Sequence, residues 1–266
     1  MNLIDRVNGP LAIARARFRD DWRSLKDVGV LDALRFRRLR RSAEHQAVFD
    51  KPEPMVTICI ATYNKGELLL KRAVASSIAQ TYRNLDIVVV GDHCTDNTEA
   101  LMREVEDPRV RFVNLPERGN YPDDPRLRWL VAGNAPFNAM LKMARGDFIT
   151  HLDHDDEYTP DRIEKLVAFA QQERADVIYH SFFYEGETQW YVHEARRFGY
   201  GFVTSSGIFY HRSYAAVEAD MHCYRYGEAG DWNRARRLRF LGPRIRRYPE
   251  PLTKHYAEGT MRDDAS

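Results

Sequence analysis

The chain has 266 residues, a formal net charge of +1 and 44% hydrophobic residues. Its length suits one large α/β domain with extensions, and its apolar content excludes a mostly disordered chain. The near-zero net charge gives no reason to expect a nucleic acid as the partner. The three cysteines lie far apart in the sequence, and no apolar leader or membrane-spanning segment is evident, which predicts a cytoplasmic protein.

Residues 1–50 are expected to form an amphipathic, basic helical extension. Apolar residues recur at steps of three and four from Leu3 to Leu25, and the stretch ends in "RFRRLRR". The extension could pack on the main domain or on a second subunit of a homodimer. Alternatively, it could dock on an anionic membrane, at the inner face of the plasma membrane, where such helices gain both apolar burial and lipid attraction. The segment Asp50–Pro54 then predicts a linker.

From residue 55 the sequence alternates between strand and helix patterns. Four apolar, β-branched runs predict buried strands: "MVTICIAT", "LDIVVVGD", "RVRFVNL" and "DFITHL". Such strands, separated by helical segments, indicate a mainly parallel central sheet flanked by helices, a Rossmann-like α/β arrangement. We expect one half at residues 55–175 and a second half at residues 176–266. Within the first half, segment 118–130 is rich in Pro and charge and predicts a loop.

Three polar turns follow predicted strands: "TYN" at 62–64, "GDHCTD" at 91–96 and "DHDD" at 153–156. In parallel sheets ligands bind beyond the carboxyl ends of the strands, so these turns should converge on one edge. Clustered carboxylates repel one another, and they persist either in open solvent or around a cation. The acidic turn therefore predicts a metal site or a solvated helix start.

Two long blocks carry a resemblance to a known family. "TICIATYNKGELLLKRAVASSIAQTYRNLDIVVVGDHCTDNT" and "NAMLKMARGDFITHLDHDDEYTPDRI" resemble the nucleotide-binding half of family 2 glycosyltransferases with the GT-A fold, of the bacterial polysaccharide-biosynthesis type. The resemblance implies an inverting, metal-dependent enzyme. It would move a sugar from a nucleotide-diphosphate donor, for which a uridine nucleotide is the expected form, to a saccharide or lipid-linked saccharide acceptor. Residues 176–266 would bind that acceptor.

The resemblance also implies roles for particular residues. Tyr63 would lie against the base and Asp92 would read uracil or ribose, although Gly91 replaces the family's usual Asp. Arg126 or Arg128 would approach the diphosphate. Mn²⁺ or Mg²⁺ would be bound directly by Asp155, while Asp153 would contact ribose or a metal-bound water. The full implied set is Ala61, Tyr63, Asn64, Asp92, Arg126, Arg128, Asp153 and His154 for the donor, with Asp155 and His255 for the metal.

The general base is expected in "GEAGDWNRARRL", at residues 227–238. Inverting transfer needs a group that takes the proton from the acceptor hydroxyl. Asp231 matches the family's base, Glu228 is a rival, and Gly230 stands where an acid is frequent. Two alternatives to this function stay open: a nucleotidyltransferase that forms sugar nucleotides, and a non-catalytic module that binds sugar nucleotides or glycans.

Overall fold

The chain begins with an arm of three helices. The structure, a computed structural model, describes residues 10–257, so the expectations for residues 1–9 and 258–266 lie outside the described residues. The helices are α1 (Pro10–Val28), α2 (Val30–Leu39) and α3 (Ala43–Ala47). The predicted helical extension is therefore confirmed where it is described. Within residues 10–257, no helix combines the length and the apolar character needed to cross a bilayer.

The predicted strands form the centre of the domain. They are β1 (Val56–Thr62), β2 (Leu85–Gly91), β3 (Val110–Asn114) and β4 (Phe148–Asp153). The helical stretches that connect them are α4 (consecutive segments Gly66–Leu69, Leu70–Val74 with π geometry, and Ala75–Ile78), α5 (Thr98–Arg103), α6 (Pro125–Val131) and α7 (Asn134–Met143). β2 is buried along its whole length, which explains why it is apolar without alternation.

The helix α6 corrects the expected loop at 118–130. Asp124 caps this helix, because its Oδ1 accepts hydrogen bonds from the N–H groups of Arg126 at 2.8 Å and Leu127 at 3.2 Å. Pro125 occupies the first turn, where its missing N–H costs nothing. An Asp–Pro pair is thus a helix start here, and the prediction of a loop is wrong from residue 125 onward.

The second half adds strands to the same sheet. The first half ends with β5 (Glu157–Tyr158) and α8 (Arg162–Glu173). The elements of the second half are β6 (Val177–Tyr179), β7 (Phe182–Glu185), β8 (Trp190–His193), β9 (Ile208–His211), α9 (Gly230–Phe240), β10 (Ile245–Arg247) and β11 (Thr253–His255). The main sheet has seven strands in the order β10-β6-β9-β4-β1-β2-β3, and a smaller sheet has the order β5-β11-β7-β8. Only β9 runs antiparallel in the main sheet, so the mainly parallel α/β architecture is confirmed.

The arm is joined to the second half through α9. The guanidinium of Arg236 is almost fully buried and lies 2.7 Å from carboxylate oxygens of both Glu228 and Asp27. It also donates a hydrogen bond to Ser24 Oγ at 3.1 Å. Since Ser24 and Asp27 belong to α1, the inner face of the arm packs on the domain, as one of the two interpretations predicted.

Candidate active site

Three strand ends meet at one edge of the main sheet. Ala61 near the end of β1 is paired with Asp153 at the end of β4, and Thr62 is paired with Gly91 at the end of β2. The turns that follow these strands are therefore neighbours. Beside them lies a cleft of about 910 Å³, which Ala61, Asp153 and Asp155 help to line.

The acidic turn divides into carboxylates with different surroundings. Asp156 is buried, and its Oδ2 lies 2.6 Å from His255 Nδ1. All three carboxylates line the cleft, but Asp153 is exposed and Asp155 is half-buried. Burial and the charges of Asp156 and Asp155 raise the pKa of Asp153, although its side chain reaches solvent through the cleft. Ser206 Oγ donates a hydrogen bond to Asp153 Oδ2 at 3.1 Å and so holds it in place.

His255 completes this end of the cleft. Its Nδ1 is held by Asp156, and its Nε2 lies 3.4 Å from Thr204 Oγ1 at the cleft wall. Burial alone would lower the pKa of His255, but the hydrogen bond and charge of Asp156 outweigh it and the pKa is raised. An imidazole fixed through one nitrogen by a carboxylate presents the other nitrogen in a defined direction, as metal-binding histidines do.

The donor set fits a metal that also binds a diphosphate. No group of three or more His, Cys, Asp or Glu side chains within residues 10–257 is arranged as a metal site of its own. However, Asp153, Asp155 and His255 line one cleft, and the pKa of Asp153 is raised first by burial and then by the charges of Asp156 and Asp155. Mg²⁺ usually takes one or two carboxylates, several waters and substrate phosphates, so protein ligands alone need not complete the site.

The residues expected at the nucleotide base lie under the start of segment 118–130, which was expected to be a loop but not to contact them. The Arg118 guanidinium stacks 3.8 Å above the Tyr63 ring. The buried Asp92 carboxylate accepts two hydrogen bonds, from the N–H of Gly119 at 2.9 Å and from the Tyr121 hydroxyl at 2.7 Å. One loop therefore covers both Tyr63 and Asp92. No local pattern in the sequence could have indicated these contacts.

The family usually has Asp where this chain has Gly91, and the structure leaves little room for a side chain at this position. A Cβ at Gly91 would lie 2.6 Å from Asn114 Oδ1, which is closer than side chains approach. Asn114 bonds both the N–H of Cys94, at 2.8 Å, and its carbonyl, at 2.9 Å, and so shapes the turn after β2. Asn64 stabilises the same turn, because its Oδ1 accepts a hydrogen bond from the N–H of Thr95 at 2.8 Å.

Three other expected donor residues lie away from the cleft lining. Arg126 is exposed on α6. The Arg128 guanidinium donates hydrogen bonds to the carbonyls of Pro122 at 3.1 Å and Asp123 at 2.6 Å, which ties it to its own loop. His154 is half-buried, and burial lowers its pKa. The structure thus brings Ala61, Asp153, Asp155, His255 and Asp231 together around one cleft. The other expected residues are not part of its lining: Tyr63, Asn64, Asp92, Arg126, Arg128 and His154.

Asp231 lies in the first turn of α9, on the wall of the same cleft. Its side chain reaches solvent, yet the surrounding cleft walls desolvate the carboxylate and raise its pKa. The family frequently has an acidic residue where this chain has Gly230. An acidic side chain would not fit here unless Asn134 moved, because a Cβ at this position would lie 2.4 Å from Asn134 Oδ1. The rival Glu228 is buried in the ion pairs with Arg236 and Arg23 rather than in the cleft.

Exposed aromatic side chains from both halves of the chain also line the cleft. Trp129, Tyr191 and Tyr200 are exposed there, and the Tyr200 ring lies 6.2 Å from that of Trp232, beside Asp231. The flat faces of such rings suit the C–H faces of sugar rings, while the cleft's size is near the upper end for small-ligand sites. The sequence did not predict these residues as part of the site, since they come from three separate segments.

The fold defines the class of protein. It is the GT-A fold of glycosyltransferases: the mannosyltransferase PcManGT from Pyrobaculum calidifontis, solved in complex with GDP-Man and Mn²⁺, superposes with a TM-score of 0.58 over 92% of this chain and 67% of its own, at 17% identity. The family model described as glycosyl transferase family 2 matches residues 57–122 and 131–248. The chain belongs to that family.

Curated relatives come from bacterial polysaccharide biosynthesis. The succinoglycan biosynthesis protein ExoO of Rhizobium meliloti (strain 1021) is 37% identical over 123 residues, which is 46% of this chain and 30% of ExoO. The UDP-Glc:alpha-D-GlcNAc-diphosphoundecaprenol beta-1,3-glucosyltransferase WfaP of Escherichia coli is 29% identical over 131 residues, 49% of this chain and 47% of WfaP. The chain thus spans less than half the length of these two relatives. The matched family is one of glycosyl transferases, whereas the first of the two alternatives was a nucleotidyltransferase.

Proposed function

We propose that the protein is an inverting, metal-dependent glycosyltransferase with Asp231 as the general base. The observation that supports this most directly is that Asp231 shares one cleft with Asp153, Asp155 and His255. A base and a prospective leaving-group site must face one reacting carbon from opposite sides for inversion. A shared cleft with carboxylates on separate elements leaves room for that arrangement, which supports the proposal.

The proposed donor is a uridine-diphosphate sugar. Tyr63 offers a flat ring for the base, and the Asp92 carboxylate can accept hydrogen bonds from the N–H of uracil or from ribose hydroxyls once the covering loop gives way. WfaP, by its name, uses UDP-Glc, whereas PcManGT was solved with GDP-Man. The choice of uridine therefore depends on Tyr63 and Asp92 and on the relative with the higher sequence identity.

Asp155 and His255, with Asp153 nearby, would hold a Mn²⁺ or Mg²⁺ ion. Such an ion offsets the negative charge that develops on a nucleoside-diphosphate leaving group. Asp156 fixes the His255 ring, and Ser206 orients Asp153, so the side chains are positioned before any ligand arrives.

The proposed acceptor is a saccharide, free or linked to a lipid. Trp129, Tyr191 and Tyr200 offer stacking faces in the cleft that Asp231 lines. WfaP acts on a diphosphoundecaprenol-linked sugar by its printed name, which favours a lipid-linked acceptor. The protein would then act in the cytoplasm, at the inner face of the plasma membrane.

Asp231 would accept the proton of the attacking acceptor hydroxyl. Desolvation by the cleft walls raises the pKa of Asp231, which makes its carboxylate a stronger base than an ordinary aspartate. Asp231→Asn keeps the shape and removes the base. Transfer should fall by about 100-fold or more.

The test measures transfer of radiolabelled sugar from a panel of UDP-sugars to lipid-linked saccharides extracted from bacterial membranes. Calorimetric titration with UDP and Mn²⁺ should show the same affinity for wild type and Asp231→Asn, and EDTA should weaken that binding. Asp123→Asn, at an exposed carboxylate outside the cleft, is the matched control. Near wild-type transfer by Asp231→Asn would contradict the assignment of the base.

A further inference from the structure

The outward face of α1 carries large apolar side chains that nothing in the described chain covers. Phe18 is 73% exposed and Trp22 is 53% exposed. They lie four residues apart and so share one side of the helix. The opposite side of α1 carries Ser24, which is fully buried against α9. The helix thus uses one face for the domain and leaves another open.

The next helix repeats this arrangement. On α2, Leu31 is 77% exposed and Leu34 is 53% exposed, and both share a helix face with Arg35 and Arg38 by their three- and four-residue spacing. The opposite side is packed, since Ala33 is buried and the Phe36 ring stacks on Tyr214 at 5.5 Å. Leu31, Leu34, Arg35 and Arg38 also line a shared shallow groove beside the turn between α1 and α2.

Positive charge surrounds these apolar side chains. We call the following exposed set the arm surface: Phe18, Trp22, Leu31 and Leu34 with Arg15, Arg19, Lys26, Arg35 and Arg38. The Lys26 amino group lies 5.4 Å from the centre of the Trp22 ring, so basic and aromatic groups are in contact. Asp32 is the exposed acid on α2, and it is paired with Arg35 at 3.4 Å.

This combination decides which partner fits. Apolar side chains intermixed with cationic ones match the boundary between headgroups and acyl chains in an anionic bilayer, where aromatic rings insert and Lys or Arg contact phosphates. A second copy of the chain would present the same positive charges, and like charges would oppose that contact. The charge of the surface therefore favours lipid over self-association.

We propose that the arm surface docks on an anionic phospholipid membrane. Because α1 packs along α9, whose first turn carries Asp231, docking would fix the orientation of the cleft relative to the membrane. The proposal does not need the acceptor to be lipid-linked, since vesicle binding and sugar transfer are measured separately.

The test uses the full chain in co-sedimentation with two kinds of vesicle, phosphatidylcholine alone and phosphatidylcholine mixed with phosphatidylglycerol. Wild type should bind the anionic vesicles, and added salt should weaken the binding. The triple variant Phe18→Ser/Trp22→Ser/Leu31→Ser should lower the partition coefficient by about tenfold or more. The matched control, Val113→Ser/Leu127→Ser, replaces exposed apolar side chains outside the arm and should bind as wild type does.

A second variant, Arg15→Gln/Lys26→Gln/Arg35→Gln, should lose binding to anionic vesicles while it keeps the wild-type melting temperature. Equal binding by wild type and both variants would overturn the proposal. So would light scattering that shows a wild-type dimer which the triple variant converts to a monomer, since the arm surface would then be occupied by a second copy.

Discussion

Tyr63 and Asp92 have partners within the chain before any nucleotide binds. Arg118 covers the ring of Tyr63, and Gly119 and Tyr121 satisfy both oxygens of Asp92. A nucleotide base that bound to Tyr63 and Asp92 would have to displace these contacts. The loop that carries Arg118 and Tyr121 should therefore compete with the donor nucleotide.

Tyr121→Phe removes the hydroxyl that bonds Asp92 and should strengthen UDP binding by about two- to tenfold, the range of one net hydrogen bond. Calorimetric titration with UDP in the presence of Mn²⁺ measures this change. Tyr226→Phe, at an exposed tyrosine outside the cleft lining, should leave the affinity as it is. Unchanged or weaker binding by Tyr121→Phe would mean that the loop stays in place when the nucleotide binds.

The sequence indicated the position of residues in the fold where they follow strands, but not the contacts of residues that come from loops. Asp153 and Asp155 could be placed at a strand end because an apolar run precedes them, and the parallel sheet then brings them beside Ala61. Arg118 and Tyr121 could not, since a loop has no period that shows what its side chains cover. At Gly230 a Cβ would lie 2.4 Å from Asn134 Oδ1, a close contact that a single sequence does not reveal.

At the scale of elements, α1 and α9 are joined by buried charge rather than by apolar packing alone. Arg236 is the centre of that contact, with Glu228 and Asp27 as its anionic partners. Removing one member of a buried ion network leaves the other charges buried without a countercharge. The resulting loss of stability is larger than the net stabilisation that the intact network provides.

Arg236→Met should therefore lower the free energy of unfolding by about 3–5 kcal/mol. Urea denaturation followed by circular dichroism measures the change. Arg83→Met makes the same substitution at an exposed position and should alter stability by less than about 0.5 kcal/mol. If both variants unfold alike, the network contributes little to holding the arm.

Elements with a strong pattern were predicted from sequence, and elements fixed by tertiary contacts were not. The boundaries of β1 and β2 agree with their apolar runs to within one residue. β9 is a short strand whose antiparallel direction depends on its pairing with β4 and β6, and no local signal encodes that pairing. The two interpretations of the arm are compatible, because they concern opposite faces of the same helices.

For the whole molecule, acid should destabilise the fold through His211. Burial, with the nearby His45, lowers the pKa of His211 to about 4, whereas the ordinary value is 6.5. Asp176 and Asp147 act in the opposite direction but do not reverse the shift. Between these two pH values the unfolded chain binds a proton that the folded chain does not, so the free energy of unfolding falls as the pH falls.

The loss should amount to about 3 kcal/mol between about pH 6.5 and about pH 4. Urea denaturation at a series of pH values measures it. His211→Phe should flatten this dependence, and the ring should fit because Phe148 and Phe49 already pack against His211. His222→Phe, at an exposed histidine, should keep the wild-type slope. An equal slope in His211→Phe would assign the acid sensitivity to other groups.

The main sheet also has a consequence for how such enzymes diversify. Its outer three strands, β9, β6 and β10, join the inner four through a single ladder of three residue pairs: Phe148 with His211, Ile149 with Tyr210, and Thr150 with Phe209. Everything on the far side of that ladder can change in sequence while the inner strands keep their neighbours and their register. A connection through so few residue pairs would let the outer strands diverge in sequence while the inner strands keep their pairing.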